Sequence, residues 1–309
     1  MNLMAFCVAA EQIKDAGEDC FAFDFSSNGG YAAVFDGCGG MGAKRYPALS
    51  NQTGARIAAL TAGFVTDYLY SENLFHIAAS DSFFLKEKYE DAFKIVKETY
   101  GDIGGLKIAG KMYKELPTTV ALSVIKRYNS ELKCEYIWAG DSRGYLLDVK
   151  GLWQVTDDDL ITKEDAFDNL RNDGVLSNVI NADQDFVLHR KVIEIDKPSL
   201  VIVSTDGGFG YFQTPMEFEY VILSSLYRSE SVKEWKSHIK TYVSEYACDD
   251  FSVIVVCCGF DNVGDWKSYF KRRYSVMEKL MSNMQGKSED QLKRYWELYK
   301  SDYYRMKNG

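Results

Sequence analysis

Proline, histidine and net positive charge are all scarce in this 309-residue sequence. Four prolines exclude Pro-rich linkers, and the three histidines (His76, His189, His238) fall in no motif and read as structural. A formal charge of −9 argues against general nucleic-acid affinity, because phosphate backbones attract cationic surfaces. No apolar run approaches the ~20 residues of a membrane span, so no membrane partner is expected. The opening MNLMAFCVAAEQ lacks a basic leader and reads as a first strand rather than a signal peptide. The seven cysteines are odd in number and include no C-x-x-C pair. They read as reduced, mostly buried thiols of a cytoplasmic protein, not as a disulfide framework.

What the chain does have is a large apolar inventory, 46% hydrophobic and 14% aromatic, enough for a substantial core and against long disordered tracts. Its charge is uneven. Residues 261–309 carry 11 Lys/Arg against 7 Asp/Glu, leaving 25 against 38 in the first 260. Strand-like runs occur near 3–9, 20–25, 31–35, 119–126, 134–139, 144–149, 187–195, 199–204 and 251–258. Helical spacing predicts helices over 53–70, 82–100, 215–226 and 231–246. Short turns such as YNSELK (128–133) and DVKGLW (148–153) imply antiparallel pairing, and strand clusters followed by helix pairs imply an α+β layered fold.

Past Gly259 the pattern changes. Trp266, Tyr269, Phe270, Tyr274, Met277, Met281 and Met284 recur at spacings of three and four. Ser288 followed by Gln291 marks a capping-box start, and Leu292, Tyr295, Trp296, Tyr299 and Tyr303 define a second helix. The sequence therefore divides into a main domain, 1–260, and a helical hairpin, 261–309, which either packs on the main domain or serves a protein partner.

Gly37 to Gly42 spell G-x-G-x-x-G, the spacing of a dinucleotide-binding turn. That turn needs a helix opening on its last glycine and a second strand ending in an acid ~20 residues on. Pro47 interrupts the first, and the helical ARIAALTAGF replaces the second. The informative letter is the aspartate in front. Four apolar runs each place aspartate at an end: YAAVF before Asp36-Gly37, CEYIWAG before Asp141, SLVIVST before Asp206-Gly207, and Asp249-Asp250 before FSVIVVCC. Aspartate is poor in strand interiors and common in turns. Four at the ends of buried strands would line one rim of a sheet, where their mutual repulsion favours a hard cation such as Mg²⁺ or Mn²⁺.

In order along roughly residues 3–258, the motifs resemble those of the metal-dependent PPM/PP2C family of Ser/Thr protein phosphatases, in its bacterial form. GEDCFAF (17–23) is similar to the family's N-E-D segment and AVFDGCGGMG (33–42) to its D-G-x-G-G segment. TTVALSVI (118–125), AGDSRGYLL (139–147), VTDDDL (155–160), VLSNVI (175–180), VIVSTDG (201–207) and DDFSVIVV (249–256) follow in the expected places. The resemblance implies a four-layer sandwich, two antiparallel sheets flanked by pairs of helices. It also implies hydrolysis of phosphoserine and phosphothreonine on proteins by a metal-activated water, without a covalent intermediate. Carried over residue by residue, Asp36 would bridge two catalytic Mg²⁺ or Mn²⁺ ions. Gly37 (through its carbonyl) and Glu18 would hold one ion, with Asp19 orienting coordinated water, and Asp206 and Asp249 would hold the other. Asp141 would serve a third site. The implied partners are phosphoprotein substrates of a Ser/Thr kinase.

Four positions depart from the family pattern. Lys14 stands where an arginine grips the substrate phosphate, keeping the charge but losing the bidentate fork; Lys44 or Arg45 could compensate. Cys38 replaces a histidine found in many members, either as a small buried thiol or as a proton donor. Gly210 replaces a second acid feeding the third metal, so that site should be weak or absent. Gly17 replaces the usual asparagine. The acidic stretch 157–174 falls where bacterial members carry a variable flap, and reads either as a solvated helix or as a filter favouring basic peptides. Two other functions remain open on sequence grounds: a catalytically weak module that binds phosphoproteins or a partner through the tail, and hydrolysis of small phosphate esters.

Overall fold

Alternation of side chains on each strand sorts the apolar residues into three layers of core. In the computed structural model, which describes residues 1–72, 82–101, 114–129, 131–162, 164–171 and 174–305, two five-stranded antiparallel sheets stack face to face. The strands are β1 (Asn2–Ala10), β2 (Cys20–Ser26), β3 (Gly29–Phe35), the two-residue β4 (Arg45–Tyr46) and β5 (Gln52–Thr53), β6 (Val120–Tyr128), β7 (Glu131–Ala139), β8 (Arg143–Asp148), β9 (Gly151–Gln154), β10 (His189–Ile195), β11 (Ser199–Ser204) and β12 (Phe251–Gly259). One sheet has the order β1-β12-β11-β8-β9 and the other β10-β7-β6-β3-β2.

On β3, Tyr31, Ala33 and Phe35 face outward to helices, while Ala32 and Val34 face the opposing sheet. On β12 the same alternation sends Val253, Val255 and Cys257 outward, with Ile254, Val256 and Cys258 between the sheets. Both strands are buried on two faces, which is why they read as continuous apolar runs rather than as alternating ones.

Helices α1 (Gly54–Ser71) and α2 (Ser82–Tyr100) cover the β3 side. Thr53 caps α1 by accepting from the Arg56 N–H, where the sequence places the start of this helix. On the other side lie α4 (Pro215–Tyr227) and α5 (Val232–Tyr246), and between β9 and β10 a single turn, α3 (Ala166–Asn169). The layered α+β sandwich implied by the motifs is thus the observed architecture. β4, β5, β9 and α3 are too short to show a period, so no sequence pattern marks them.

The C-terminal segment forms α6 (Val263–Met284) and α7 (Glu289–Tyr303), with the Ser288 N–H donating to Gln291 Oε1 at 3.0 Å. Trp266, Phe270, Met277, Leu292, Trp296 and Tyr303 enter the same core as α4, α5 and the outer face of the first sheet. A buried carboxylate anchors them. Glu219 on α4 is fully buried and accepts from Arg273 (2.5 and 2.8 Å), the Leu152 N–H (3.0 Å) and the Tyr299 hydroxyl. No helix among the described residues is long and apolar enough to cross a membrane.

Candidate metal centre

Strand register brings the acids together. Cys20 pairs with Phe35, so Glu18 and Asp19 precede β2 beside the point where β3 delivers Asp36 and Gly37. Ser204 pairs with both Val253 and Arg143, which sets Asp206 beside Asp249 on one flank and Asp141 on the other. All six acids occupy one rim of the stacked sheets.

The backbone there is held tightly. The Asp36 N–H donates to Thr119 Oγ1 (3.2 Å), while its carbonyl accepts from the Thr119 N–H and the Thr118 hydroxyl, each at 2.8 Å. The Gly37 N–H donates to the Glu18 carbonyl (3.3 Å). A Cβ on Gly37 would lie 2.6 Å from the Ala55 carbonyl oxygen, so the glycine is a packing requirement there. Thr53 donates its hydroxyl to the Glu18 carboxylate. Thr205 donates to Asp19 Oδ2 at 2.8 Å, and the Glu18 N–H donates to Asp250 Oδ2 at 2.7 Å; both bonds tie one sheet to the other.

Electrostatically the rim is strained by its own charge. Burial, then the carboxylates of Asp206, Asp19 and Asp141, pushes Asp36 well above the usual carboxylate range. Asp19 is raised by burial and Asp206 despite the Thr205 hydroxyl. Asp141 is pushed up to about 8 by burial, Asp206 and Asp158. Asp249 is the most open of the set, yet its carboxyl also rises, through desolvation and then Asp206 and Asp250. Among the described residues no three acidic, histidine or cysteine side chains converge closely enough to hold an ion as they stand; after burial, Asp206 is the neighbour that raises Asp36 most. The donor set fits a hard divalent cation: all oxygen, crowded, and disfavoured as ionised carboxylates without one.

The departures can be placed too. Lys14 is solvent-exposed with no ion-pair partner among the described residues. Lys44 is engaged elsewhere, 2.9 Å from Glu115 and over the Tyr46 ring, and Arg45 donates to the Asn51 carbonyl (2.9 Å). Cys38 follows the rim, and its thiol is pushed well above its ordinary value by burial and by Asp36, opposed by the nearby Lys114. The Gly210 N–H donates to the Asp206 carbonyl (2.6 Å), and a Cβ there would come within 2.9 Å of that oxygen. His189 bonds Asp159 (2.9 Å), which also accepts from the Gly140 N–H beside Asp141 (3.0 Å), and His238 bonds Ser229 (3.0 Å), while His76 lies outside the described residues. Beside Asp141 and Asp206 opens a cavity of about 280 Å³, walled by Arg143, Asp158, Arg171 and Tyr211.

Local sequence reasoning missed Thr53, Thr119 and Thr205 as supports, Asp250 as an inter-sheet clasp, and Lys114 as a cation near the rim. Only Asp250 left a signal, as the second letter of the Asp-Asp pair.

No family model matches the chain, and no curated protein sequence matches it. Solved structures do. The Mycobacterium tuberculosis serine/threonine phosphatase PstP/Ppp aligns with a TM-score of 0.59 at 16% identity, over 84% of this chain and 100% of that one. Staphylococcus aureus serine/threonine phosphatase Stp1 aligns with a TM-score of 0.59 at 15% identity, over 84% and 96%. The catalytic domain of PstP in complex with 2 manganese ions gives 0.53 at 16% identity, over 84% and 99%. At such identities the likeness establishes the fold. It is the fold of bacterial serine/threonine phosphatases, as the motif resemblance implies.

Proposed function

We propose that this chain is a Mg²⁺/Mn²⁺-dependent phosphatase acting on phosphoserine and phosphothreonine in proteins. The observation that carries the proposal is the placement along one rim of Glu18, Asp36, Asp141, Asp206 and Asp249, from the ends of strands of both sheets, in a fold shared with phosphatases. One of those neighbours was crystallised with manganese. Glu18, Asp36 and the Gly37 carbonyl would hold one ion, and Asp36, Asp206 and Asp249 the other. Asp141 would offer a weaker third site, because Gly210 contributes no acid. When bound, the ions supply a water activated near neutral pH and positive charge for the phosphoryl oxygens.

The chain's own residues do the rest. Thr53 and the Asp250 clasp orient Glu18. Thr118 and Thr119 fix Asp36. Thr205 aims Asp19, which would orient coordinated water as a hydrogen-bond acceptor. Lys14 is the cation assigned to the substrate phosphate, and its exposure favours a mobile, weaker grip than an arginine fork gives. That same observation supports the second reading, a catalytically weak phosphoprotein-binding module. In either case residues 1–260 would carry the site and 261–309 an extension.

The test is Mn²⁺-dependent turnover of p-nitrophenyl phosphate and a phosphothreonine peptide, wild type against Asp206→Ala. Turnover that requires metal and is lost in the variant supports the enzyme. Absent activity with retained phosphopeptide binding favours the module, and activity unchanged in the variant removes the site assignment.

A further inference from the structure

The acidic stretch beside the rim is gripped from both sides. On its inner side Asp158, almost wholly buried, accepts from Arg143 Nε (2.9 Å) and Nη2 (2.6 Å), from Gln154 Nε2 (2.9 Å) and from Asn169 Nδ2 (3.1 Å). Arg143 follows Asp141 by two residues at the head of β8, and its guanidinium lies 4.2 Å over the Phe209 ring. Asp158 therefore joins the rim to α3.

On its outer side the stretch meets α7. Trp296 Nε1 donates to Asp165 Oδ2 (2.9 Å), as does Lys300 Nζ (3.2 Å). Lys293 Nζ reaches both oxygens of Asp168 (2.7 and 3.0 Å), and the Ala166 N–H donates to the Tyr304 hydroxyl (2.7 Å). Arg171 Nε lies 3.0 Å from Glu289, and the buried Phe167 ring stacks on Trp296. An exposed ion pair alone contributes little. Here the pairs accompany a buried ring stack, an indole donor and a capped backbone N–H. The clamped stretch also separates two cavities: the one of about 280 Å³ that opens on Asp141 and Asp206, and one of about 540 Å³ lined by Trp138, His189 and Tyr304.

We propose that the C-terminal hairpin is an intramolecular clamp. Through α7 it holds residues 157–162 and 164–171 as a fixed wall of the cleft beside Asp141 and Asp206. It thereby positions the surface that a protein substrate must dock against, while leaving access for small esters unchanged. The substrate half of this inference rests on the phosphatase reading; the clamp half does not. Trp296, Lys293 and Tyr304 are positioning residues in this scheme, remote from the rim.

Hydrogen exchange of the full-length chain tests the clamp directly, comparing wild type with the triple variant Lys293→Ala/Trp296→Phe/Tyr304→Phe. That variant keeps an aromatic stack but removes the ties from Lys293, the Trp296 indole and the Tyr304 hydroxyl, leaving those of Lys300 and Arg171. Amides of 165–169 are expected to exchange about tenfold faster or more, with β12 unchanged. The milder Asp168→Lys is expected to loosen the same amides, and adding Lys293→Asp to restore them, which guards against simple misfolding of the triple variant. In kinetics, KM for a phosphoprotein should rise about fivefold at constant kcat, with p-nitrophenyl phosphate hydrolysis unaffected. Unchanged exchange at 165–169 in both variants overturns the clamp. Equal losses on large and small substrates overturn its role in docking. If the wild type turns over neither substrate, the phosphatase reading fails while the exchange result still decides the clamp.

Discussion

Asp36 and Asp206 follow strands of different sheets, yet after burial the Asp206 carboxylate is the strongest influence raising the Asp36 carboxyl. Neighbouring buried carboxyls favour sharing a proton or a cation over carrying two negative charges. The sheets are stacked so that the ends of β3 and β11 meet, and this meeting sets the two carboxyls against each other. Replacing one partner with a neutral isostere should therefore relieve the metal-free protein. Asp36→Asn is expected to melt a few degrees higher than wild type without metal, about 1 kcal/mol corresponding to roughly 2–4 °C in a chain of this size. Saturating Mn²⁺ should raise the wild-type Tm and leave the variant unmoved, since only a ligand bound to the native state stabilises it. Differential scanning calorimetry with and without EDTA reads both effects.

Gly37 tests the backbone side of the same site. An alanine methyl would meet the carbonyl oxygens of Ala55 at 2.6 Å and of Glu18 at 2.8 Å, both backbone atoms unable to rotate away. Gly37→Ala should cost about 1–3 kcal/mol by overpacking, read as a lower urea midpoint at constant m-value.

Glu219 anchors the C-terminal helices from inside the core. Removing it leaves the Arg273 guanidinium, largely buried, without its partner, and the Leu152 N–H without an acceptor. Glu219→Ala should destabilise by about 3–5 kcal/mol, visible in urea unfolding followed by tryptophan fluorescence.

The outer end of the hairpin should respond to acid. Burial raises the Asp148 carboxyl, but Arg305 at 3.0 Å, the Lys150 N–H and Lys197 outweigh it and hold it below its ordinary value. Because the folded pKa is depressed, this stabilisation is complete above the ordinary carboxylate value, about 3.9. It is lost as pH falls further, through the folded value. Thermal melts from pH 6 to 3 should show a fall below about pH 4 that is shallower in Asp148→Asn. An identical pH profile in the variant would contradict the assignment.

Cys38 should be dispensable. Its thiol is held protonated by burial and the rim carboxylates, and a protonated thiol is a poor nucleophile. Cys38→Ala should keep turnover within about threefold, and iodoacetamide should modify the exposed Cys248 first, as peptide mapping would show.

Much of this was legible in the sequence because each rim acid ends or begins a run too apolar to lie on the surface. Asp36, Asp206 and Asp249 mark strand ends through local chemistry alone, and antiparallel order then brings those ends together. What local spacing cannot carry is pairing across the fold. Thr53 with Glu18, Thr205 with Asp19 and Asp250 with the Glu18 N–H each join segments far apart in the chain, and threonine at a strand end has no distinctive pattern. The fate of Lys44 was hidden for the same reason, since its partner Glu115 is distant in sequence. The hairpin's apolar stripe was readable, but not its grip on α3, which depends on where Asp165 and Asp168 fall once β8 and β9 have paired.

The measurement closest to the central claim is Mn²⁺ binding to the full chain, by equilibrium dialysis with electron paramagnetic resonance, for wild type, Asp36→Asn and Asp206→Ala. Two ions per wild-type chain are expected, with the broadened, exchange-coupled signal of a shared bridging ligand, and loss of both ions, and so of that coupling, in Asp36→Asn. In Asp206→Ala one ion should remain. Binding that is absent in the wild type, or indifferent to both substitutions, would contradict that claim.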